Sequence, residues 1–305
     1  MGKNNVRYLT TREKIIANMT SESWECIPHV AYTYEPDVTK LIDELKLLNS
    51  SKKGEKITIN TLVIKLICEG LKVAPEMNAH IDFNRRLVRG KVTEFEDISI
   101  TMPMLCVDGN MFTVNMKNFG NKNLDEMTDY INDVNRKLEK THFDTILFSV
   151  AMEYSMKGLK KAQFMRLIYR IISGYTGKNR IEKLRGQKKK DYNAIPDTDK
   201  LTYKDVTQGS ITVTNVGSLW KDQRGHLTLI EIIPPQVAAI GIGAAQDMPA
   251  VIKNENGEKV IAIRKILPLN ICIDHRALDF DKVIPFMKKF DEICENPKII
   301  HTWVN

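Results

Sequence analysis

The sequence lacks the long apolar run that a membrane-spanning helix requires. Hydrophobic residues make up 43% of the 305 residues, yet no uninterrupted apolar stretch approaches the roughly 20 residues that cross a bilayer. The first residues, Met1 to Arg7, also lack the apolar core of a secretion signal. A chain of this composition can bury a core of its own, so we expect a soluble protein of the cytoplasm.

Motifs for metals, redox chemistry and nucleotides are also missing. The five cysteines are odd in number and form no C-x-x-C pair, which disfavours a zinc or redox motif. The sequence contains no P-loop and no G-x-G-x-x-G motif. Four histidines have no neighbouring ligand pattern, and these are His80, His142, His226 and His301. We therefore predict no metal site.

The net charge of +7 comes from one segment. Residues 157–190 contain twelve Lys or Arg and one acidic residue, Glu182. Three interpretations stay open: a lid or interface helix on the core, a basic amphipathic element on an anionic membrane surface, and a partly disordered insertion. Nucleic-acid binding is not expected, because no recognition motif accompanies the charge.

Hydrophobic periodicity predicts a mixture of helices and short strands. Helices are predicted over Asp37 to Leu48 with Asp37 as N-cap, Leu62 to Val73 with Asn60 as cap, Asn123 to Leu138, and Asp281 to Glu295. Strands are predicted over 83–88, 98–102, 111–116 after a turn at Asp108-Gly109, 210–216, 237–242, the hairpin 250–253 with 260–264, and 268–273. This order predicts an α+β fold without the strict alternation of a Rossmann or barrel fold.

The segment Asp274 to Asp279 leaves a predicted strand and leads to a predicted helix, a place where side chains are held rigidly beside a cleft. His275 is a candidate base there, because histidine exchanges protons near neutral pH. Spacing alone favours a structural role, because most histidines in a protein are structural. Cys272 lies three residues earlier and could be a nucleophile, but its place in the apolar run 271–273 favours a buried core position.

The stretch His275-Arg276-Ala277-Leu278-Asp279 resembles the H-x-x-x-D signature of chloramphenicol acetyltransferase and of the acyltransferase core of the 2-oxoacid dehydrogenase complexes. Other segments resemble the same family in the same order: Thr11 to Met19, Ile27 to Val30, Pro75 to Ala79, Gly209 to Gly217, and Ile233 to Gly241. The resemblance implies a chloramphenicol acetyltransferase-like fold, in which a mixed β-sheet is covered by helices. It also implies one catalytic domain over 1–305, with a basic helical insertion at about 141–200.

The chemistry that this resemblance implies is acyl transfer between coenzyme A and a thiol, amine or hydroxyl acceptor, without a covalent acyl-enzyme. His275 would be the general base. Thr214 stands where the family has a serine that binds the oxyanion, and threonine keeps the hydroxyl donor. An ordinary strand threonine is the alternative interpretation of Thr214.

Asp279 matches an aspartate that pairs with an arginine and holds the histidine loop. Arg12 is the candidate partner by position, although Arg276 is nearer in the sequence. Phe280 stands where the family usually has glycine, which leaves the shape of the loop open. His29 also matches a family position, but we expect it to be a packed structural residue.

The resemblance further implies a homotrimer, with Thr214 of one subunit facing His275 of the next across a channel open to coenzyme A and to the acceptor. The chain begins at the catalytic core, so a lipoyl acceptor would have to come from another polypeptide. The pair Asp199-Lys200 looks like a lipoylated motif, but we expect an ordinary loop lysine. Two functions from other classes stay open: a non-catalytic scaffold, and a membrane-associated interaction protein that uses 157–190.

Overall fold

The structure is a computed structural model that describes residues 4–106, 109, 111–147, 149 and 184–305. Its helices are α1 (Thr11–Cys26), α2 (Thr39–Ser51), α3 (Ile59–Lys72), α4 (Leu124–Glu139), α5 (Gly186–Ala194) and α6 (Ile284–Glu295). Its strands are β1 (His29–Tyr34), β2 (Ala79–Asn84), β3 (Arg89–Glu94), β4 (Ile100–Leu105), β5 (Met111–Met116), β6 (Ile211–Asn215), β7 (Ala238–Ile242), β8 (Gln246–Lys253), β9 (Lys259–Ile266) and β10 (Leu269–Asp274).

A central sheet of six strands has the order β1-β10-β7-β6-β4-β5. The inner pairs β4–β6 and β6–β7 are parallel, whereas β5, β10 and β1 pair with their neighbours antiparallel. Two hairpins, β2–β3 and β8–β9, lie outside this sheet. The sheet is therefore mixed, as the sequence predicts.

The two faces of the sheet differ in composition because successive side chains of a strand point to opposite faces. Val213 of β6 and Ile240 of β7 are fully buried in the main core, which helices cover. There α3 packs tightly on α6, and a Cβ at Gly70 would lie 2.6 Å from the Phe286 ring. The opposite face carries small and polar residues, among them Thr214.

Most predicted elements are confirmed, with shifted ends. The predicted hairpin pairs β8 with β9, and Val251 lies opposite Ile261. Strands β4 and β5 form the expected hairpin, but residues 107, 108 and 110 of its turn lie outside the described residues. Strand β3 was not predicted, since all of its residues are exposed and carry no apolar alternation.

Both predicted N-caps near the start of the chain are wrong. Thr58 caps α3 and accepts from the Thr61 amide at 3.1 Å, because the helix begins before Asn60. In α2 the cap position is Val38. The Asp37 carboxylate instead accepts from Thr39 and forms an ion pair with Arg264 of β9 at 2.6 Å.

The predicted amphipathic stretch 159–172 lies outside the described residues. Helix α5, at the end of the basic segment, has no buried residue. Lys200 is buried, and its ammonium donates to the carbonyls of Tyr192 and Ile195 at 3.0 and 2.8 Å. This lysine is structural, as predicted. None of the described helices is long and apolar enough to cross a membrane.

Candidate active site

His275 lies on a tight turn directly after β10. The amides of Ala277 and Leu278 both donate to the Asp274 carbonyl, at 2.9 and 3.0 Å. The His275 amide donates to the carbonyl of Pro28, at 3.1 Å, on the chain that enters β1. The turn is thus held by its own hydrogen bonds and by the neighbouring edge strand, which gives the imidazole a defined position.

The orientation of the His275 ring leaves one nitrogen available for chemistry. Nδ1 lies 3.1 Å from the Leu278 carbonyl, which can only accept, so Nδ1 carries the proton and donates. Nε2 is then the unprotonated nitrogen, and it has no partner in the part of the chain that the structure describes. The His275 side chain is 51% exposed. This tautomer is the one that a general base requires.

Asp279 lies beside the same ring, with Oδ1 3.3 Å from Nδ1 of His275 and its side chain 78% exposed. The expected pairing of Asp279 with an arginine is not observed among the described residues. The structure therefore gives Asp279 an electrostatic contact with the base.

Arg276 pairs with Asp274, not with Asp279. Its guanidinium donates through Nε and Nη2 to the Asp274 carboxylate, at 2.9 and 2.6 Å. Asp274 is fully buried, and a buried carboxylate needs a partner more than an exposed one does. Arg276, two residues away in sequence, supplies that partner, and the carboxylate raises the pKa of Arg276.

Arg12 is not brought to Asp279 within the chain. It lies in the first turn of α1, and its guanidinium stands 4.8 Å from the centre of the Phe143 ring. Helix α1 begins with a capping box made by Thr10 and Glu13. Among the described residues, the Arg12 guanidinium makes a cation–π contact with Phe143.

Thr214 is a half-buried residue near the end of β6. It alternates with the core residue Val213, so its side chain lies on the polar face of the sheet. In the register of the sheet, Thr214 lies opposite Gly241 of β7, and Gly241 lies opposite Asn270 of β10. The hydroxyl therefore stands on the face away from the main core.

Thr214 and His275 are at opposite ends of the sheet. Two strand spacings separate Thr214 from Asn270, which is about 10 Å, and four residues of β10 separate Asn270 from Asp274, which is about 13 Å. The resulting separation of Thr214 from Asp274 is roughly 16 Å, and His275 lies beyond. One thioester group cannot touch both side chains in a single chain.

A covering segment, residues 227–233, crosses the polar face of the sheet next to Thr214. Buried or half-buried side chains hold its backbone through hydrogen bonds. From β10, Asn270 donates to the Thr228 carbonyl at 3.0 Å, and Cys272 Sγ accepts from the Ile230 amide at 3.3 Å. At Ile232, His29 Nε2 accepts from the amide at 3.1 Å and Ser23 donates to the carbonyl at 2.7 Å. Sequence reasoning missed this segment. Its one signal is the polar Asn270 within an otherwise apolar strand.

Two alternatives from the sequence are settled by these contacts. Cys272 is fully buried, and burial raises the pKa of its thiol, which confirms a core residue in place of a nucleophile. His29 donates from Nδ1 to the Ile27 carbonyl at 3.0 Å and accepts at Nε2, so it is a structural residue. Burial lowers the pKa of His29.

Phe280 has a packing partner on the neighbouring edge strand. Its ring packs on Tyr32 of β1, with 4.9 Å between centroids. The residue begins a short 3₁₀ helix, and its φ is not positive, so this backbone does not require glycine. Among the described residues, no group of three or more His, Cys, Asp or Glu is arranged to hold a metal ion.

Comparison with known proteins gives a family match over most of the chain. The family model for "2-oxoacid dehydrogenases acyltransferase (catalytic domain)" matches residues 2–145 and 187–302. The unmatched part, 146–186, lies inside the predicted insertion; the domain limits themselves stay a prediction.

Among curated proteins, the chain is 24% identical over 292 residues to the mitochondrial dihydrolipoyllysine-residue acetyltransferase component of the pyruvate dehydrogenase complex from Schizosaccharomyces pombe. The match covers 95% of this chain and 45% of that protein. The chain thus spans about half the length of the curated relatives it matches.

Two solved structures share the fold. The cubic core of the pyruvate dehydrogenase multienzyme complex superposes with a TM-score of 0.65 at 17% identity, covering 98% of this chain and 95% of the other. The dihydrolipoamide acetyltransferase of Azotobacter vinelandii also gives 0.65, at 18% identity with the same coverage. These scores confirm the predicted fold class.

Proposed function

Because the chain belongs to the 2-oxoacid dehydrogenase acyltransferase family, as a catalytic domain, we propose that it transfers an acyl group between coenzyme A and a dihydrolipoyl thiol. The observation that carries this proposal is the state of His275: Nδ1 is engaged with a carbonyl and Nε2 is open at an exposed turn. A base held in this way can take the proton of an incoming thiol.

The comparisons support these roles. The relatives are named dihydrolipoyllysine-residue acetyltransferases, which points to a dihydrolipoyl acceptor. The Azotobacter structure was determined to examine a serine, a histidine and an asparagine in the catalytic mechanism, and its histidine and asparagine are four residues apart. His275 and Asp279 have the same spacing, and Thr214 offers the hydroxyl in place of the serine.

The reaction follows from these groups. His275 Nε2 removes the proton of the acceptor thiol, and the sulfur attacks the carbonyl carbon of the acyl-CoA thioester. The carbonyl oxygen becomes an oxyanion that accepts a hydrogen bond from the Thr214 hydroxyl. The bond to the CoA sulfur then breaks, and the imidazolium returns the proton to that sulfur. Asp279, with Oδ1 3.3 Å from Nδ1, holds the imidazole ring in position.

Thr214 and His275 of one chain are too far apart to act on the same thioester, so this chemistry requires two copies of the chain. We propose that the copies form a closed homotrimer, so that each of the three sites takes its hydroxyl from one subunit and its base from the next. A site between subunits can also be open at both ends, which admits coenzyme A and the lipoyl arm from opposite sides.

The test is a thiol-release assay over a panel of acyl-CoAs, with and without dihydrolipoamide. We expect His275→Ala to lower turnover by about 10²- to 10⁴-fold. Thr214→Val should lower it by about 10²- to 10³-fold, while Thr214→Ser keeps it. Release of CoA that is equal in wild type and His275→Ala would instead support a non-catalytic scaffold. Release that requires an amine or alcohol would contradict the dihydrolipoyl acceptor.

A further inference from the structure

Two side chains of the covering segment lie directly on β7 beside Thr214. If Gly241 carried a Cβ, that atom would be 2.8 Å from Leu227 Cδ1 and 3.5 Å from Ile230 Cγ2. The first distance is shorter than any normal carbon contact, so Leu227 occupies the space that a side chain at 241 would take. Glycine at this position lets Leu227 rest against the sheet.

Leu227 consequently shares a surface with the Thr214 hydroxyl. Thr214 and Gly241 are register partners in the parallel pair β6–β7. Adjacent strands are about 4.8 Å apart, and paired residues present their side chains on the same face. The end of the Leu227 side chain therefore lies within roughly 6 Å of the Thr214 side chain.

The position of Leu227 is set by the sheet below it and by the hydrogen bonds of the residues that follow it in the chain. Below it is the backbone of Gly241, which cannot move without disturbing the sheet. Along the covering segment, the Asn270 amide holds the Thr228 carbonyl, and Cys272 holds the Ile230 amide. A leucine held in this way is a firm apolar wall.

We propose that Leu227 sets the length of the acyl group that the site accepts. The inference rests on the proposed function, in which the Thr214 hydroxyl contacts the oxygen of the thioester carbonyl. The first carbons of the acyl chain then lie within a few ångströms of Thr214, where Leu227 limits the space. Short groups such as acetyl and propionyl fit beside this wall, and longer straight chains meet it.

The experiment measures kcat/KM for acetyl-, butyryl-, hexanoyl- and octanoyl-CoA with the full chain. In Leu227→Ala, the ratio of hexanoyl to acetyl should rise by about tenfold or more, because a pocket discriminates by roughly that factor for each methylene it excludes. The matched control is Leu229→Ala, a leucine of the same segment that packs on the small cluster around Ile27 and Cys272. The control should leave the ratio unchanged.

A second variant tests the contact itself. In Gly241→Ala the added Cβ is too close only to the end of the Leu227 side chain, since its contacts with Ile230 and Asn270, at 3.5 and 3.6 Å, are ordinary. The variant should therefore fold, and the added methyl takes up space beside Thr214. We expect it to lower the hexanoyl to acetyl ratio, and we expect Leu227→Ala in the same chain to reverse the effect. If Leu227→Ala does not fold, Leu227→Val makes the same change on a smaller scale.

The outcomes separate this inference from the function on which it rests. Wild-type turnover with an acyl preference that neither Leu227→Ala nor Gly241→Ala changes would overturn the role of Leu227 and leave the proposed function standing. If wild type neither binds nor cleaves any acyl-CoA, the proposed function fails, and this inference fails with it.

Discussion

Replacement of Arg276 by methionine should destabilise the protein strongly. The change removes three hydrogen bonds to the Asp274 carboxylate, two from Nε at 2.9 and 3.1 Å and one from Nη2 at 2.6 Å. Asp274 is 0% exposed, so Arg276→Met leaves a buried carboxylate without its charged partner. Methionine retains most of the apolar length of arginine, which limits the loss of packing.

The expected cost is about 3 kcal/mol of unfolding free energy. Breaking a buried ion pair by removing one partner costs roughly 3 to 5 kcal/mol. The Arg276 side chain is 23% exposed, so water already screens part of the interaction, and the lower end of this range applies. Removal of both charges in Asp274→Asn/Arg276→Met should recover most of the loss.

Denaturant titration at one fixed protein concentration measures this effect. Arg224→Met is the matched control, since Arg224 is an exposed arginine of the loop after β6, and it should change the unfolding free energy by less than about 0.5 kcal/mol. A cost below about 1 kcal/mol for Arg276→Met, or a double variant less stable than the single one, would refute the reasoning.

Three further predictions concern residues around the site. Burial lowers the pKa of His29, so the unfolded chain binds more protons than the folded chain as the pH falls below about 6.5, and the unfolding free energy should fall with the pH. His29→Gln should reduce this pH dependence in denaturant titrations. An unchanged slope of unfolding free energy against pH would count against this prediction. Phe280→Ala should lower the unfolding free energy by about 1 kcal/mol. Phe280→Gly should lower it by about a further 0.5 to 1 kcal/mol, because the backbone at this position has no positive φ that would favour glycine. A glycine variant more stable than the alanine variant would contradict this prediction. Cys26 is exposed and the other four cysteines are buried, so only Cys26 should react rapidly with a thiol reagent in the native protein. Fast modification of Cys272 would disprove its assignment to the core.

Local patterns predicted much of the fold. Alternation and turn residues located β5, β6, β7 and the β8–β9 hairpin, because those strands have one buried face or a clear turn. Strand β3 was not predicted, since an exposed strand pairs through its backbone and carries no hydrophobic pattern. The start of α2 was misplaced, because Asp37 pairs with Arg264, which is remote in sequence.

In the candidate site, too, local sequence predicted some features, while contacts between residues remote in sequence decided others. The motif around His275 identified the candidate base, and the register of the sheet shows that Thr214 is too far away to act with His275 in one chain. The candidate ion pair between Arg12 and Asp279 is not observed among the described residues, and Arg276 pairs with Asp274 because that carboxylate is buried. Leu227 could not be predicted, since its contact with Gly241 depends on how a loop crosses the sheet.

The most direct test of a site shared between two copies is subunit complementation. His275→Ala and Thr214→Val chains, each inactive alone, are produced together with different tags, and the mixed assemblies are purified through both. In a closed ring of three subunits that contains both kinds of chain, about one third of the sites, one in each ring, combine an intact threonine from one chain with an intact histidine from the next. Turnover near that fraction of wild type is the predicted result. Mixed assemblies as inactive as their parents would show that the site does not lie between subunits.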